Sequence, residues 1–124
     1  VVKEVLRDVF GFHELRGEVQ RGGIRAVLGR HDVFVLAPTG MGKSLVYALP
    51  AVVGFRQSGA VAVVVSPLLS LMENQVWNLR AKGVACACLS SSEAMETNRE
   101  LIRRLGSNGD DPGAETSALA LLFV

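Results

Sequence analysis

The sequence predicts an α/β protein of three layers, a mostly parallel sheet wrapped by helices. Three observations carry that expectation. Apolar, β-branched runs recur at residues 32–37, 61–66, 84–89 and 118–124. Segments of helical periodicity separate them, as crossovers between parallel strands require. A glycine-rich turn joins the first run to the helix after it.

Residues 1–10 place Val1, Val2, Val5, Leu6, Val9 and Phe10 on one stripe with Lys3, Glu4, Arg7 and Asp8 between them, a helical pattern that Gly11 ends. A second helix is expected over residues 16–28, with Val19, Ile24, Val27 and Leu28 on its apolar face and Gly29 as C-cap. Gly22 and Gly23 each weaken it by about 1 kcal/mol relative to Ala. The run DVFVLA at 32–37 lacks alternation, as a strand buried on both faces should. A helix over 43–53 follows the glycine-rich turn, and 61–66 is a second strand of the same kind. Pro67 then opens a helix, where its missing N–H is no loss. That helix carries Leu68, Met72, Val76 and Leu79 and stops near Gly83. Residues 84–89 form a third strand. Ser90 and Glu93 are spaced as a capping box for a helix to residue 105, supported by Glu100 with Arg104. Residues 106–117 are a polar loop, and 118–124 a final strand.

At about 150 residues per domain, a chain of 124 residues is one domain. With 49% hydrophobic and 20% charged residues it can build a core, which excludes a disordered or collagen-like chain. Thirteen Lys plus Arg against twelve Asp plus Glu leave a net charge of +1, so any nucleic-acid contact rests on local placement, not bulk charge. Cys86 and Cys88 lie on one face of a short strand and are expected in the core, since a metal site needs two further ligands. No apolar run approaches the ~20 residues that span a bilayer, and the N-terminal residues resemble no signal peptide. The expectation is a soluble, intracellular chain without a membrane partner.

The sharpest signal is Ala37-Pro38-Thr39-Gly40-Met41-Gly42-Lys43-Ser44, after an expected strand and opening an expected helix. This is the phosphate-binding loop pattern with Ala in place of the first Gly. Gly40 and Gly42 can adopt dihedrals closed to other residues, so that successive N–H groups converge on one anion. The helix N-terminus adds its positive dipole end. Lys43 supplies a charge for the β- and γ-phosphates, and the Ser44 hydroxyl can ligate Mg²⁺. A second strand-to-helix junction, VSPLLSL at 65–71, lies at the same sheet edge. Its Ser66, Ser70 and backbone N–H groups suit phosphodiester contact, or are simply an ordinary turn. Upstream, Phe12 can stack on a base, and Arg16 and Gln20 can hydrogen-bond one, although the segment also reads as a plain helix end.

These motifs in this order resemble the first half of the first motor domain of the RecQ family of superfamily 2 DNA helicases, which are DEAD/DEAH-box-type enzymes. The segments carrying the resemblance are FGFHELRGEVQ, APTGMGKSLVYALPA, VVVSPLLSLMENQV and GVACACLSS. It implies a RecA-like P-loop nucleotide-binding fold and an ATP-driven motor unwinding DNA in the 3′ to 5′ direction, with ATP and Mg²⁺ as cofactors. It also implies single-stranded or forked DNA as partner, a role in recombination and repair, and a place in the nucleus or nucleoid. Residues 1–30 become a helical segment with an adenine-recognition motif, and 31–124 part of the ATP-binding domain. Phe12 becomes the base-stacking residue, and Arg16 and Gln20 adenine contacts. Pro38, Thr39, Gly40, Met41, Gly42, Lys43 and Ser44 become the triphosphate cradle, with Lys43 and Ser44 catalytic and Ser44 a metal ligand. Ser66, Pro67, Leu68 and Ser70 become part of the DNA path. Three positions depart from the pattern: three residues separate Arg16 from Gln20 where most of the family has two, Leu15 replaces the usual Phe, and Met41 replaces a small residue. The family's acidic metal-binding box lies beyond a strand such as 118–124, so the 124 residues alone are expected neither to hydrolyse ATP efficiently nor to unwind DNA. Rival expectations are an RNA-directed superfamily 2 motor and a non-catalytic nucleotide- or nucleic-acid-binding relic.

Among the remaining residues, His13 is expected at the surface, Trp77 against a helix flank and Tyr47 beneath the phosphate loop. Arg99, Arg103 and Arg104 with Glu96 and Glu100 are expected on a solvated helix face.

Overall fold

A computed structural model of the chain describes residues 1–38, 40–89, 99 and 119–124. Its elements are α1 (Val2–Asp8), α2 (Gly17–Leu28), α3 (Lys43–Ser58), β1 (Ala62–Val64), α4 (Leu69–Ala81), β2 (Cys86–Cys88) and β3 (Leu121–Phe123). The expected helix to residue 105 and the loop after it lie outside the described residues, apart from Arg99, which is helical and exposed.

The three strands form one parallel sheet in the order β1-β3-β2. Leu122 stands in register with Val63 on one side and Ala87 on the other. The ladder runs on past β1, where the Ser66 N–H donates to Val124 O at 3.0 Å. Leu121 and Phe123 point into the main core, where Val5 and Leu6 of α1, Leu49 and Val53 of α3, and Met72, Val76 and Leu79 of α4 meet them. Ala87, Leu119 and Leu122 form a smaller cluster apart from it. α3 runs five residues beyond its expected end, through a buried Pro50, and stops at a left-handed Gly59. Proline withholds one helical N–H, and burial of residues 45–53 outweighs that loss.

Several expectations are corrected. Residues 32–37 enter no ladder, and their backbone makes no hydrogen bond to a described residue. Val35 and Ala37 are half-buried, whereas Phe34 and Leu36 are 90% and 87% exposed. The second run is likewise apolar on both sides but covered on one, with Val63 and Val65 exposed. An unbroken apolar run is what a two-sided strand shows, and the described residues cover one side only.

α2 buries Gln20, Gly23 and Ile24, while Val27 and Leu28 are exposed. The cause is close approach: a Cβ on Gly23 would lie 2.7 Å from Val46 Cγ1 of α3. Apolar periodicity cannot register a face made by a glycine and an amide. Gly29 caps α2 at φ −77°, and the left-handed residue is Arg30 at φ 61°.

α4 starts at Leu69, two residues after Pro67, and Leu68 is its exposed N-cap. Trp77 is 73% exposed and so does not cover a flank. Among the described residues no helix is long and apolar enough to cross a membrane.

Candidate nucleotide site

Gly40 and Gly42 both have positive φ, at 90° and 73°, which L side chains rarely adopt. Gly42 is the N-cap of α3, and no side chain caps that end. The first-turn N–H groups of a helix lack i−4 partners and carry its positive dipole end; here the Leu45 N–H donates to Gly42 O at 3.3 Å. Lys43, the first residue of α3, is exposed; Ser44 is half-buried. Met41 is 45% exposed, its side chain clear of the core. Thr39 lies outside the described residues.

Gln20 ties the segment before α2 to this loop. It is the buried polar residue of the described core, 4% exposed. Its Oε1 accepts from the Arg16 N–H at 2.7 Å, and its Nε2 donates to Gly42 O at 3.2 Å. A Cβ at position 42 would collide with Gln20 Nε2. Glycine is therefore needed there twice, for its dihedral and for the amide beside it. The extra residue between Arg16 and Gln20 is accommodated by the first turn of α2: Arg16 is the N-cap, and its own N–H reaches the Gln20 carbonyl.

A cavity of about 330 Å³ opens beside this pair. Phe10, Phe12, Glu14, Arg16 and Gln20 line it from the N-terminal segment, and Gly42, Ser44, Leu45 and Ala48 from the loop and α3. Gln75, Asn78, Leu79 and Lys82 line it from α4 and its C-cap. Phe12 is 48% exposed. The structure thus gathers Phe12, Arg16, Gln20, Gly42 and Ser44 around one cavity, while Pro38, Gly40, Met41 and Lys43 do not line it. The α4 residues went unnoticed in the sequence, although Gln75, Asn78 and Lys82 follow a 3- and 4-residue spacing beside the apolar stripe of Met72, Val76 and Leu79.

Ser66 lines a second, smaller cavity of about 180 Å³ with Tyr47, Val64, Val65, Leu71, Met72, Gln75 and Phe123. The Ser66 Oγ accepts from the Leu68 N–H at 3.4 Å. Pro67, Leu68 and Ser70 are exposed outside it. Tyr47 packs edge-on against Phe123, ring centroids 6.3 Å apart, and burial raises its pKa. Cys86 is in the core, where its Sγ contacts Val76 O at 3.5 Å and burial pushes the thiol up. His13 is at the surface.

A family model described as DEAD/DEAH box helicase matches residues 17–109, and the chain belongs to that family. The curated proteins it is similar to include RecQ-like helicases. It is 41% identical over 105 residues to the ATP-dependent DNA helicase Q5 of Rattus norvegicus, covering 84% of this chain and 10% of that protein. It is 40% identical over 104 residues to the RecQ-like DNA helicase blm-1 of Caenorhabditis elegans, again 84% of this chain and 10% of the relative. With the ATP-dependent DNA helicase RecQ of Synechocystis it shares 38% over 108 residues, 85% of this chain and 21% of the relative. The chain thus spans between a tenth and about a fifth of the length of these relatives. The helices and small parallel sheet are part of a RecA-like α/β fold.

Proposed function

We propose that these residues bind ATP with Mg²⁺ and contact single-stranded or forked DNA as part of a RecQ-like helicase that unwinds DNA 3′ to 5′, in the nucleus or nucleoid. Residues 1–30 recognise the adenine, and residues 31–124 supply part of the ATP-binding domain. The hydrogen bond from Gln20 to Gly42 carries this reading, because it joins the loop at Gly42 to a cavity of about 330 Å³ lined by Phe10, Phe12 and Arg16.

The residues fit the nucleotide they would hold. The left-handed Gly40 and Gly42 suit a turn whose backbone N–H groups converge on an anion. Lys43 neutralises phosphate charge, and the half-buried Ser44 hydroxyl is a hard oxygen ligand suited to Mg²⁺. Phe12 stacks on the base, and Arg16 lies over it or hydrogen-bonds to it. When bound, ATP supplies the phosphoanhydride whose cleavage drives the motor. Ser66, Pro67, Leu68 and Ser70 offer hydroxyls and N–H groups to the DNA backbone, a contact that positions a strand without reading its sequence.

Calorimetry on the folded chain tests this. Magnesium-dependent binding of ATP is expected, weakened about 10- to 100-fold in Lys43→Ala, the loss of a charge-assisted phosphate contact. Folded protein with no magnesium-dependent affinity for adenine nucleotides refutes the assignment.

A further inference from the structure

Met41 is a loop residue whose side chain packing does not account for. It stands between the two left-handed glycines, Gly40 and Gly42, and is exposed. It belongs to neither hydrophobic cluster and lines neither of the two cavities described above. Met72, by contrast, is buried in the core. A thioether open to water is the form of methionine that two-electron oxidants convert to the sulfoxide. The surroundings give that conversion a consequence. The N–H groups of Gly40, Met41 and Gly42 donate to no described residue, and α3 opens at Lys43 with no side chain capping it. A sulfoxide oxygen is a polar acceptor with partial negative charge. Oxidised Met41 therefore brings a negative dipole among donors that an anion would use, competing for them and repelling phosphate.

We propose, resting on the ATP-binding reading above, that Met41 is a reversible oxidation site whose sulfoxide weakens nucleotide binding by the loop. The oxidant is a peroxide, and the step moves two electrons. A lone pair on Met41 Sδ attacks one oxygen of hydrogen peroxide; the S–O bond forms as the O–O bond breaks. Sulfur is oxidised, and the second oxygen leaves as water with both of the peroxide's protons. The return step uses two thiols, delivered through a methionine sulfoxide reductase: the oxygen departs as water and the thiols become a disulfide.

The test treats the 124-residue chain with hydrogen peroxide and then with dithiothreitol, which reverses disulfides and sulfenic acids at Cys86 and Cys88 but not a sulfoxide. Mg-ATP is then titrated by calorimetry. Peptide mass spectrometry reports the sulfoxide at each methionine, and far-UV circular dichroism checks the fold. Met41 is expected to oxidise ahead of Met72, and ATP affinity to fall about tenfold or more, the weakening of a charge-assisted contact. Methionine sulfoxide reductases acting on both epimers should restore the affinity. Met41→Gln, a polar stand-in for the sulfoxide, should bind ATP as weakly as the oxidised chain, and Met41→Leu should bind equally before and after peroxide. Oxidation of Met72 ahead of Met41 overturns the site. A Met41 sulfoxide with undiminished ATP affinity, or a loss that Met41→Leu shares, overturns its effect and leaves the ATP reading standing. A reduced, folded chain that binds no Mg-ATP overturns both.

Discussion

Replacing Gly42 by alanine tests the junction between loop and amide most directly. Two costs arise at that position. Alanine at φ 73° sits in the left-handed region, worth about 1–2 kcal/mol. Its Cβ also displaces Gln20 Nε2, breaking the hydrogen bond to Gly42 O and stranding an amide only 4% exposed, worth about 1–3 kcal/mol more. Gly40 is the internal control. Its φ is 90°, but a Cβ there meets nothing within 4 Å, so Gly40→Ala costs only the strain, about 1–2 kcal/mol. Urea denaturation followed by circular dichroism should therefore find Gly42→Ala less stable than Gly40→Ala by about 1–3 kcal/mol. In a Gln20→Ala background that excess should vanish, because no amide remains to be displaced. Equal costs for the two glycines, or strict additivity of Gly42→Ala with Gln20→Ala, would refute the coupling.

Adjacent glycines in α2 should respond with opposite signs. Gly22→Ala meets open space and should raise stability by about 1 kcal/mol, whereas Gly23→Ala drives a methyl into Val46 and should lower it by about 1–3 kcal/mol; thermal melts of both variants check this. Stability should also decline at alkaline pH. Burial raises the pKa of Tyr47 and of the Cys86 thiol, so the folded state keeps protons that the unfolded chain releases. Their stabilising effect is complete below the ordinary thiol and phenol ranges and is lost as pH rises through them toward the folded values. Melting temperatures should fall from about pH 8.5 to about pH 11, and above about pH 10 the fall should be shallower in Tyr47→Phe; a flat profile would refute it.

The left-handed turn at Gly40 and Gly42 and the start of α3 were legible because their signals are local. Two glycines and a Lys-Ser pair at the start of an apolar helix demand backbone dihedrals that only their own sequence supplies, and Gly40 and Gly42 have them. Helices α1, α3 and α4 were legible through apolar periodicity, to within a few residues at their ends. The faces of α2 were not. Its packing surface is Gln20, Gly23 and Ile24, and of these only Ile24 carries hydrophobic signal. Residues 32–37 show the complementary difficulty: propensity favours extended backbone, but a strand exists only by virtue of its neighbours, and the described residues supply none. The third wall of the cavity stayed hidden because a polar stripe of Gln75, Asn78 and Lys82 has the composition of any solvated helix face. Only the placement of α4 beside the Phe12 segment distinguishes it.

The order β1-β3-β2 has a consequence for how the chain acquires its structure during synthesis. Among the described strands the middle one, β3, is translated after both of its neighbours, so β1 and β2 have no described mate until it emerges. Residue 62 finds residue 121 only after the whole of α4 has emerged. Until then the described helices can assemble around α3, while no described strand pairs with β1 or β2, which leaves their main-chain edges open to other polypeptides in the interval before residue 121 emerges.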